Sequence, residues 1–258
     1  MGETNLQLTV TEGRGRITLN RPQRRNALSL ELLTELDTAL QDLGESAAVR
    51  TIIIDGAGPV FSAGHDLGEM LDREPEFYDR LFAKCTDAMM GIQAVPQPVI
   101  AKVHGMATAA GCQLVAACDL AVASNDCRFA TPGVRIGLFC STPMVPITRA
   151  IGRKRALEML FTGDPIDAKT ARDWGLINKV VPAQELESET IALAERIERF
   201  SSAIVAIGKD AFYRQIDEPQ ANAYAITGPT MSRNAGHDEA QEGMGAFLEK
   251  RQPVWKHS

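Results

Sequence analysis

The chain has 258 residues, 45% hydrophobic and 23% charged, a balance that fits one large globular domain, or one domain with an appendage, able to bury a sizeable core. A formal net charge of -6, with no block of five like charges, leaves no electrostatic footprint for nucleic acid or an anionic membrane surface. The five cysteines (Cys85, Cys112, Cys118, Cys127 and Cys140) are odd in number and lack CxxC spacing; with four scattered histidines, they predict reduced intracellular thiols and no metal site.

In chain order, LQLTV (6–10) and RITLN (16–20), joined through EGRG, predict a hairpin. SLELLTELDTALQDL then places Leu30, Leu33, Leu36, Leu40 and Leu43 at helical spacing behind Ser29, a candidate N-cap. VRTIIID (49–55) is an expected buried strand, followed by a helix over 75–92 and a second buried strand, PVIAKV (98–103). The stretch MATAAGCQLVAACD (106–119) suits a buried helix, and LAVAS (120–124) gives another short strand. Beyond residue 143, MVPITRAIG, KRALEMLFTG, DAKTARDWG, AQELESETIALAERIERFS and DEAQEGMGAFLEK are successive helical patterns, interrupted by one strand, LINKVV (176–181). Gly163 and Gly175 fall at helix C′ positions. The alternation predicts a layered α/β core with a helical C-terminal third.

No apolar stretch approaches the roughly 18 to 20 residues that span a bilayer, and no cationic region followed by an apolar run opens the chain, so a cytoplasmic protein without a membrane partner is expected. The start MGETNL superficially resembles an acylation signal, but Leu6 stands where Ser or Thr is needed.

Two segments join a strand to a helix through small residues: VFSAGHDL (60–67) and HGMATAAGCQL (104–114). The first amides of a helix lack intrahelical partners, and small side chains let a ligand reach them. Two such turns facing each other would offer converging N–H donors to one anionic oxygen. The same composition also serves plain close packing, and spacing alone does not separate the two. Neither segment matches GxGxxG or a Walker loop.

Five motifs in order, ITLNRPQRRNAL, FSAGHDL, PVIAKVHGMATAAGCQLVAACDLAVAS, FTGDPIDAKTARDWGLINKVVP and EGMGAFLEKRQPVW, make the chain resemble the crotonase superfamily, the enoyl-CoA hydratase/isomerase family, over essentially its whole length. The run RIGLFCSTP is most similar to its enoyl-CoA hydratase domain-containing protein 3 subgroup. The resemblance implies a spiral of repeated β-β-α units over 1–200 and a C-terminal helical region over 201–258 that packs subunits into a homotrimer or a dimer of trimers. It implies a coenzyme A thioester as substrate or ligand and no permanently bound cofactor. The thioester oxygen would be held by the backbone amides of His65 and of Ala110, which replaces a family glycine. Coenzyme A contacts carry over to Arg25, Ala27, Leu28, Ala63, Asp66, Leu67 and Lys250, although Arg25 and Lys250 also read as solvated surface charges.

Family hydratases use two glutamates, one to activate water and one to protonate the α-carbon. By motif, Gln113 in GCQL and Gly133 in TPGV occupy those positions, and Cys140 and Ser141 replace a Pro-Gly in the following loop. An amide accepts no proton near neutral pH, so hydration is expected to stay near background. The remaining polar groups have plainer expected roles: Asp66 and Ser141 or Thr142 as helix caps, Cys140 as a packed thiol, His104 as structural, His237 and His257 on the surface, and the His65 side chain secondary to its amide. Three readings result: an acyl-CoA lyase or isomerase-type enzyme that stabilises an enolate-like intermediate, an acyl-CoA-binding protein with little turnover, and a partner-binding scaffold. The AGHD motif favours the first two.

Overall fold

In the computed structural model, which describes residues 4–256, the expected hairpin is present. β1 (Leu6–Thr11) and β2 (Arg14–Leu19) pair antiparallel, with Thr11 opposite Arg14. Glu12 and Gly13 form the two-residue loop, both at positive φ (53° and 81°), a type I′ geometry whose twist matches that of the strands. α1 (Leu30–Glu45) follows Ser29, whose side chain accepts from the Leu32 amide, and buries Leu32, Leu33, Leu36, Leu40 and Leu43 along one face.

From there the chain repeats one unit. β3 (Thr51–Gly56) leads through the turn at Ser62 to α2 (Leu67–Met70) and α3 (Pro75–Ala94). β4 (Val99–Val103) leads through β5 (Met106–Thr108) to α4 (Ala110–Ala117). β6 (Leu120–Ser124) leads through β7 (Arg128–Ala130) to α5 (Met144–Ile151) and α6 (Arg153–Thr162). β8 (Ile166–Asp167), α7 (Ala168–Trp174), β9 (Lys179–Val181) and α8 (Leu186–Glu198) complete the spiral. The main sheet runs β1-β2-β3-β4-β6-β9, parallel after the opening pair, and the smaller sheet runs β5-β7-β8. Ser62 extends the smaller sheet by a single parallel bridge to Ala107. Each turn of the spiral therefore contributes one strand to the main sheet, one short strand or bridge to the second, and one or two helices, which is the expected β-β-α organisation. Residues 51–55 of β3 are buried throughout, as befits a parallel strand covered on both faces.

Three expectations shift. The predicted helix over 106–119 is β5 followed by α4 from Ala110, because Met106–Thr108 pairs with Arg128–Ala130. The strand expected over 176–181 is confined to Lys179–Val181, while Leu176 and Ile177 enter the core as loop residues. The helices α9 (Ser202–Gln215) and α10 (Gln220–Ala235) had no clear helical signal in the sequence. α10 carries Pro229 internally, after Gly228, and buries only Thr230, so periodicity is nearly silent there. α11 (Asp238–Glu249) closes the helical layer.

One buried cluster fastens α9 to the core. The Lys209 ammonium donates to the carbonyls of Ile92 and Gln97 (both 2.8 Å) and to Asp119 Oδ2 (2.6 Å). The Tyr213 hydroxyl donates to the other Asp119 oxygen at 2.6 Å, and the Val99 amide to Oδ2 at 2.7 Å. Desolvation lowers the Lys209 pKa against the pull of Asp119, and burial first, then Asp119, raises that of Tyr213.

Candidate active site

The site is built where two successive turns of the spiral lie side by side. The Ser62 amide donates to Met106 O (3.2 Å) and the Thr108 amide to Ser62 O (3.0 Å), a single parallel bridge that sets the two turns side by side. Gly64 is the point of closest approach, at φ +90°. A Cβ there would lie 2.9 Å from Ala109 Cβ, 3.0 Å from Thr108 O and 3.3 Å from the Ala110 nitrogen. Gly111 is required in the same way, since a Cβ on it would meet Ser62 O at 2.5 Å. The small residues of both segments thus serve close packing, and that packing sets the His65 peptide beside the first amide of α4.

The Ala110 amide opens α4, where no preceding turn supplies an acceptor. Among the described residues, neither it nor the His65 amide has a backbone partner outside regular helix and strand bonding, whereas Gly64 O accepts from Leu28 N (2.7 Å) and Leu28 O from Asp66 N (3.2 Å). The cost of this geometry falls on Ala109. Ala110 is helical, and the residue held at positive φ is Ala109 (φ 48°, ψ -119°), with its amide bonded to Ala130 O at 2.9 Å. A non-glycine residue in that region stores roughly 1–3 kcal/mol of strain. Nothing in the sequence distinguishes this alanine from its neighbours.

The remaining site residues fall into three groups. Leu28 and Ala27 are buried, with Leu28 tied into the Gly64–Asp66 bridge through its backbone, while Arg25, Ala63 and Leu67 are exposed around the turn. Asp66 sits at the N-cap position of α2 but makes no capping bond; its carboxylate pairs instead with Arg21 Nη2 at 2.9 Å. Arg21 was not among the expected residues and has only its position in the RPQRRNA motif to mark it. Lys250 caps the C-terminus of α11 at φ 55°, exposed and in no ion pair among the described residues, and no described contact joins it to the Arg25 segment.

Gln113 lies inside α4, 3% exposed, with its Oε1 3.9 Å from Cys85 Sγ on α3. It borders a cavity of about 1270 Å³ between α3, α4, α5, α9 and α10, together with Met89, Thr142, Arg149 and Tyr213. Gly133 is buried, and its side-chain space is already filled: a Cβ would lie 2.7 Å from Leu138 O and 2.9 Å from Cys140 Sγ. Burial raises the Cys140 thiol, with the Gly133 backbone opposing, and pushes Cys85 up to about 12. Both are packed thiols, not thiolates. Ser141 and Thr142 do not cap α5, which has no side-chain cap; Ser141 Oγ donates to Phe139 O at 3.4 Å.

Two histidines are structural. His104 Nε2 lies 2.8 Å from Gly58 O, and His237 caps α11, Nδ1 accepting from Glu239 N at 3.2 Å. His257 and the Met1–Glu3 start of the acylation-like motif lie outside the described residues. His65 differs from both. Its ring packs edge-on against Phe82 of α3, centroids 5.2 Å apart at 88°, and both ring nitrogens are buried without a partner. Desolvation lowers its pKa, only partly offset by the neighbouring Leu28 backbone. Among the described residues no cluster of three metal-ligating side chains occurs, and no helix is long and apolar enough to cross a membrane.

The profile of the family described as "Enoyl-CoA hydratase/isomerase" matches residues 10–258. The chain belongs to this family. The mitochondrial enoyl-CoA hydratase domain-containing protein 3 of Mus musculus is 48% identical over 259 residues, covering 99% of this chain and 86% of the mouse protein. A crystal structure described as an enoyl-CoA hydratase of Mycobacterium smegmatis superposes with a TM-score of 0.96 at 50% identity, covering 98% of this chain and 99% of the other. Human enoyl-CoA hydratase domain-containing protein 3 gives 0.95 at 47% identity, covering 98% and 100%. The spiral and the helices α9–α11 are thus a crotonase fold, and coenzyme A thioesters are the family's substrates.

Proposed function

We propose that the protein binds an acyl-CoA thioester with its carbonyl oxygen between the amides of His65 and Ala110. The observation that carries this reading is the 3.3 Å approach of the Gly64 side-chain position to the Ala110 nitrogen, which places two unengaged amides on facing turns. Backbone donors in fixed geometry are the means by which enzymes stabilise a developing oxyanion. The coenzyme A moiety runs past Ala63, Leu67 and Arg25, and past the backbone of Ala27 and Leu28. The Arg21–Asp66 pair stiffens that rim, and Lys250 supplies a phosphate contact. The acyl chain extends toward the cavity bordered by Gln113 and Met89.

Within this reading Gln113 and Gly133 stand where family hydratases carry glutamates, so water addition by two carboxylates is not the reaction. An acyl-CoA enzyme working through an enolate, of lyase or isomerase type, is favoured; an acyl-CoA-binding protein with little turnover is the second reading, favoured by the packed Gly133–Cys140 contact. The separation of a core over 1–200 from a helical region over 201–258 belongs to the same proposal, with assembly as a homotrimer or a dimer of trimers. Exposed Phe212, Tyr224, Met231, Phe247 and Leu248 on α9–α11 support it. A cytoplasmic location is supported by five free, buried cysteines; the mitochondrial label belongs to the named relatives, and fractionation separates the two.

The test is calorimetric titration with crotonyl-CoA and butyryl-CoA, beside an assay of crotonyl-CoA hydration and light-scattering mass. Binding with background hydration is the expected result. Hydration at an ordinary enzymatic rate overturns the assignment at 113 and 133, and absence of binding overturns the site.

A further inference from the structure

The site contains one ionisable group that nothing in the fold occupies. Buried polar atoms are bonded in well over nine-tenths of cases, and an orphan costs roughly 1–3 kcal/mol. Neither nitrogen of the His65 ring finds a partner at good hydrogen-bond geometry, and the nearby Leu28 backbone only weakly opposes the desolvation. The ring is not loose: Phe82 holds it edge-on from α3, and the Leu28 backbone bridges to its own peptide from the other side. It is carried by the residue whose amide faces the thioester oxygen in the reading above, on which this inference rests.

The other ionisable groups on the adjoining segments are paired, protonated or, like Arg24, Asp79 and Arg80, exposed. Asp66 is paired with Arg21, and Glu69 Oε2 accepts the Leu30 amide at 3.0 Å. On α3, Lys84 is paired with Asp37 and Asp87, and Cys85 is a protonated thiol. Arg25 is likewise exposed, and always protonated. Gln113 exchanges no proton.

We infer that the His65 imidazole is the acid/base group of this site, moving a proton at the α-carbon of the bound acyl thioester. The unprotonated ring nitrogen removes an α-proton. The C–H electron pair becomes the bond between the α-carbon and the carbonyl carbon, and the displaced carbonyl pair comes to rest on the oxygen held by the His65 and Ala110 amides. The imidazolium then returns a proton to the same carbon, or to the γ-carbon when the chain is unsaturated. No water, oxidant or second carboxylate takes part, so the chemistry is proton exchange or double-bond isomerisation rather than hydration. Because the ring nitrogens are buried in this conformation, reaching the α-carbon requires the ring to turn from Phe82. Burial favours the neutral ring, the form that accepts a proton.

The experiment incubates butyryl-CoA with the protein in D2O and follows deuterium at the α-carbon, while calorimetry reports affinity. Unmodified protein is expected to exchange the α-proton, at a rate that rises with pH through a pKa below 6.5 and is flat above it. His65→Gln, which keeps the backbone amide, is expected still to bind butyryl-CoA measurably and to exchange at least about 100-fold more slowly. Binding without exchange by the unmodified protein, or exchange that survives His65→Gln, overturns the inference and leaves the thioester site standing. Absence of binding overturns the site and the inference together. Should His65→Gln fail to fold, nitrogen NMR of the unmodified protein decides: the His65 ring signals shift on adding butyryl-CoA, and unmoved signals overturn the assignment.

Discussion

The two halves of the candidate site are made of different material. The half proposed to hold the thioester is main chain: the turns that carry the His65 and Ala110 peptides are aligned by the bonds of Ser62 to Met106 and Thr108 and by the strained turn at Ala109. The half that would perform acid/base work is side chain, and there Gln113 lies against the Cys85 thiol at the edge of the cavity while Gly133 is packed against the Cys140 thiol. A main-chain site is a property of the fold and tolerates a change of side chain. A side-chain site depends on the identity of each residue that forms it.

The sharpest way to break this contrast is Gly64→Val. At φ +90°, with Ala109 Cβ 2.9 Å from the new Cβ, the turns are forced apart. A loss of about 2–4 kcal/mol in denaturant titration is expected, together with loss of measurable acyl-CoA affinity. Retained affinity would mean that the paired amides are not the site.

Next is the pair Gln113→Glu and Gly133→Glu. Neither is expected to confer crotonyl-CoA hydration. Gly133→Glu meets Leu138 O and Cys140 Sγ, and Gln113→Glu buries a carboxylate beside a thiol pushed up to about 12. Each is expected to lose about 1–3 kcal/mol. Hydration gained by the double variant alone would show that the lost half can be restored without repacking.

A smaller effect, opposite in sign, is expected from Ala109→Gly. Relief of the positive φ offsets the greater freedom of glycine in the unfolded chain, leaving a gain of about 1 kcal/mol, or about 2–4 °C in thermal midpoint for a chain of this length. Acyl-CoA affinity is expected to fall slightly as the Ala110 amide becomes less fixed.

The smallest effect is a pH dependence. A histidine whose pKa is lowered on folding binds fewer protons in the native state, so its neutral form is compatible with the fold near neutrality and stability is lost as pH falls below 6.5. Denaturant midpoints of His65→Leu should therefore fall less steeply than those of the unmodified protein between pH 6.5 and the lowered pKa. Parallel slopes would mean that the ring titrates as in the unfolded chain.

Much of this fold could be read from local chemistry. The leucine spacing of α1, its Ser29 cap, and the αL glycines 163 and 175 each act within one or two turns of chain. The strands of the smaller sheet could not be read: β5, β7 and β8 exist because they pair with one another, not because Met106–Thr108 prefers extension. The same limit applies to the site. FSAGHDL and the AAG turn marked two turns that the structure sets side by side, but the contact of Cys140 with Gly133 depends on the path of residues 134–139. The Arg21–Asp66 pair spans 45 positions. The orphaned His65 ring depends on Phe82 arriving from another helix.

The Lys209 cluster sets an order of assembly. Its acceptors come from the end of α3, from the approach to β4 and from the residue before β6. No partial spiral gathers all three, so α9 finds its complete anchorage only after the central turns have closed. The C-terminal helices therefore act as a checkpoint: a chain that presents them in place has already built the cleft between residues 64 and 110.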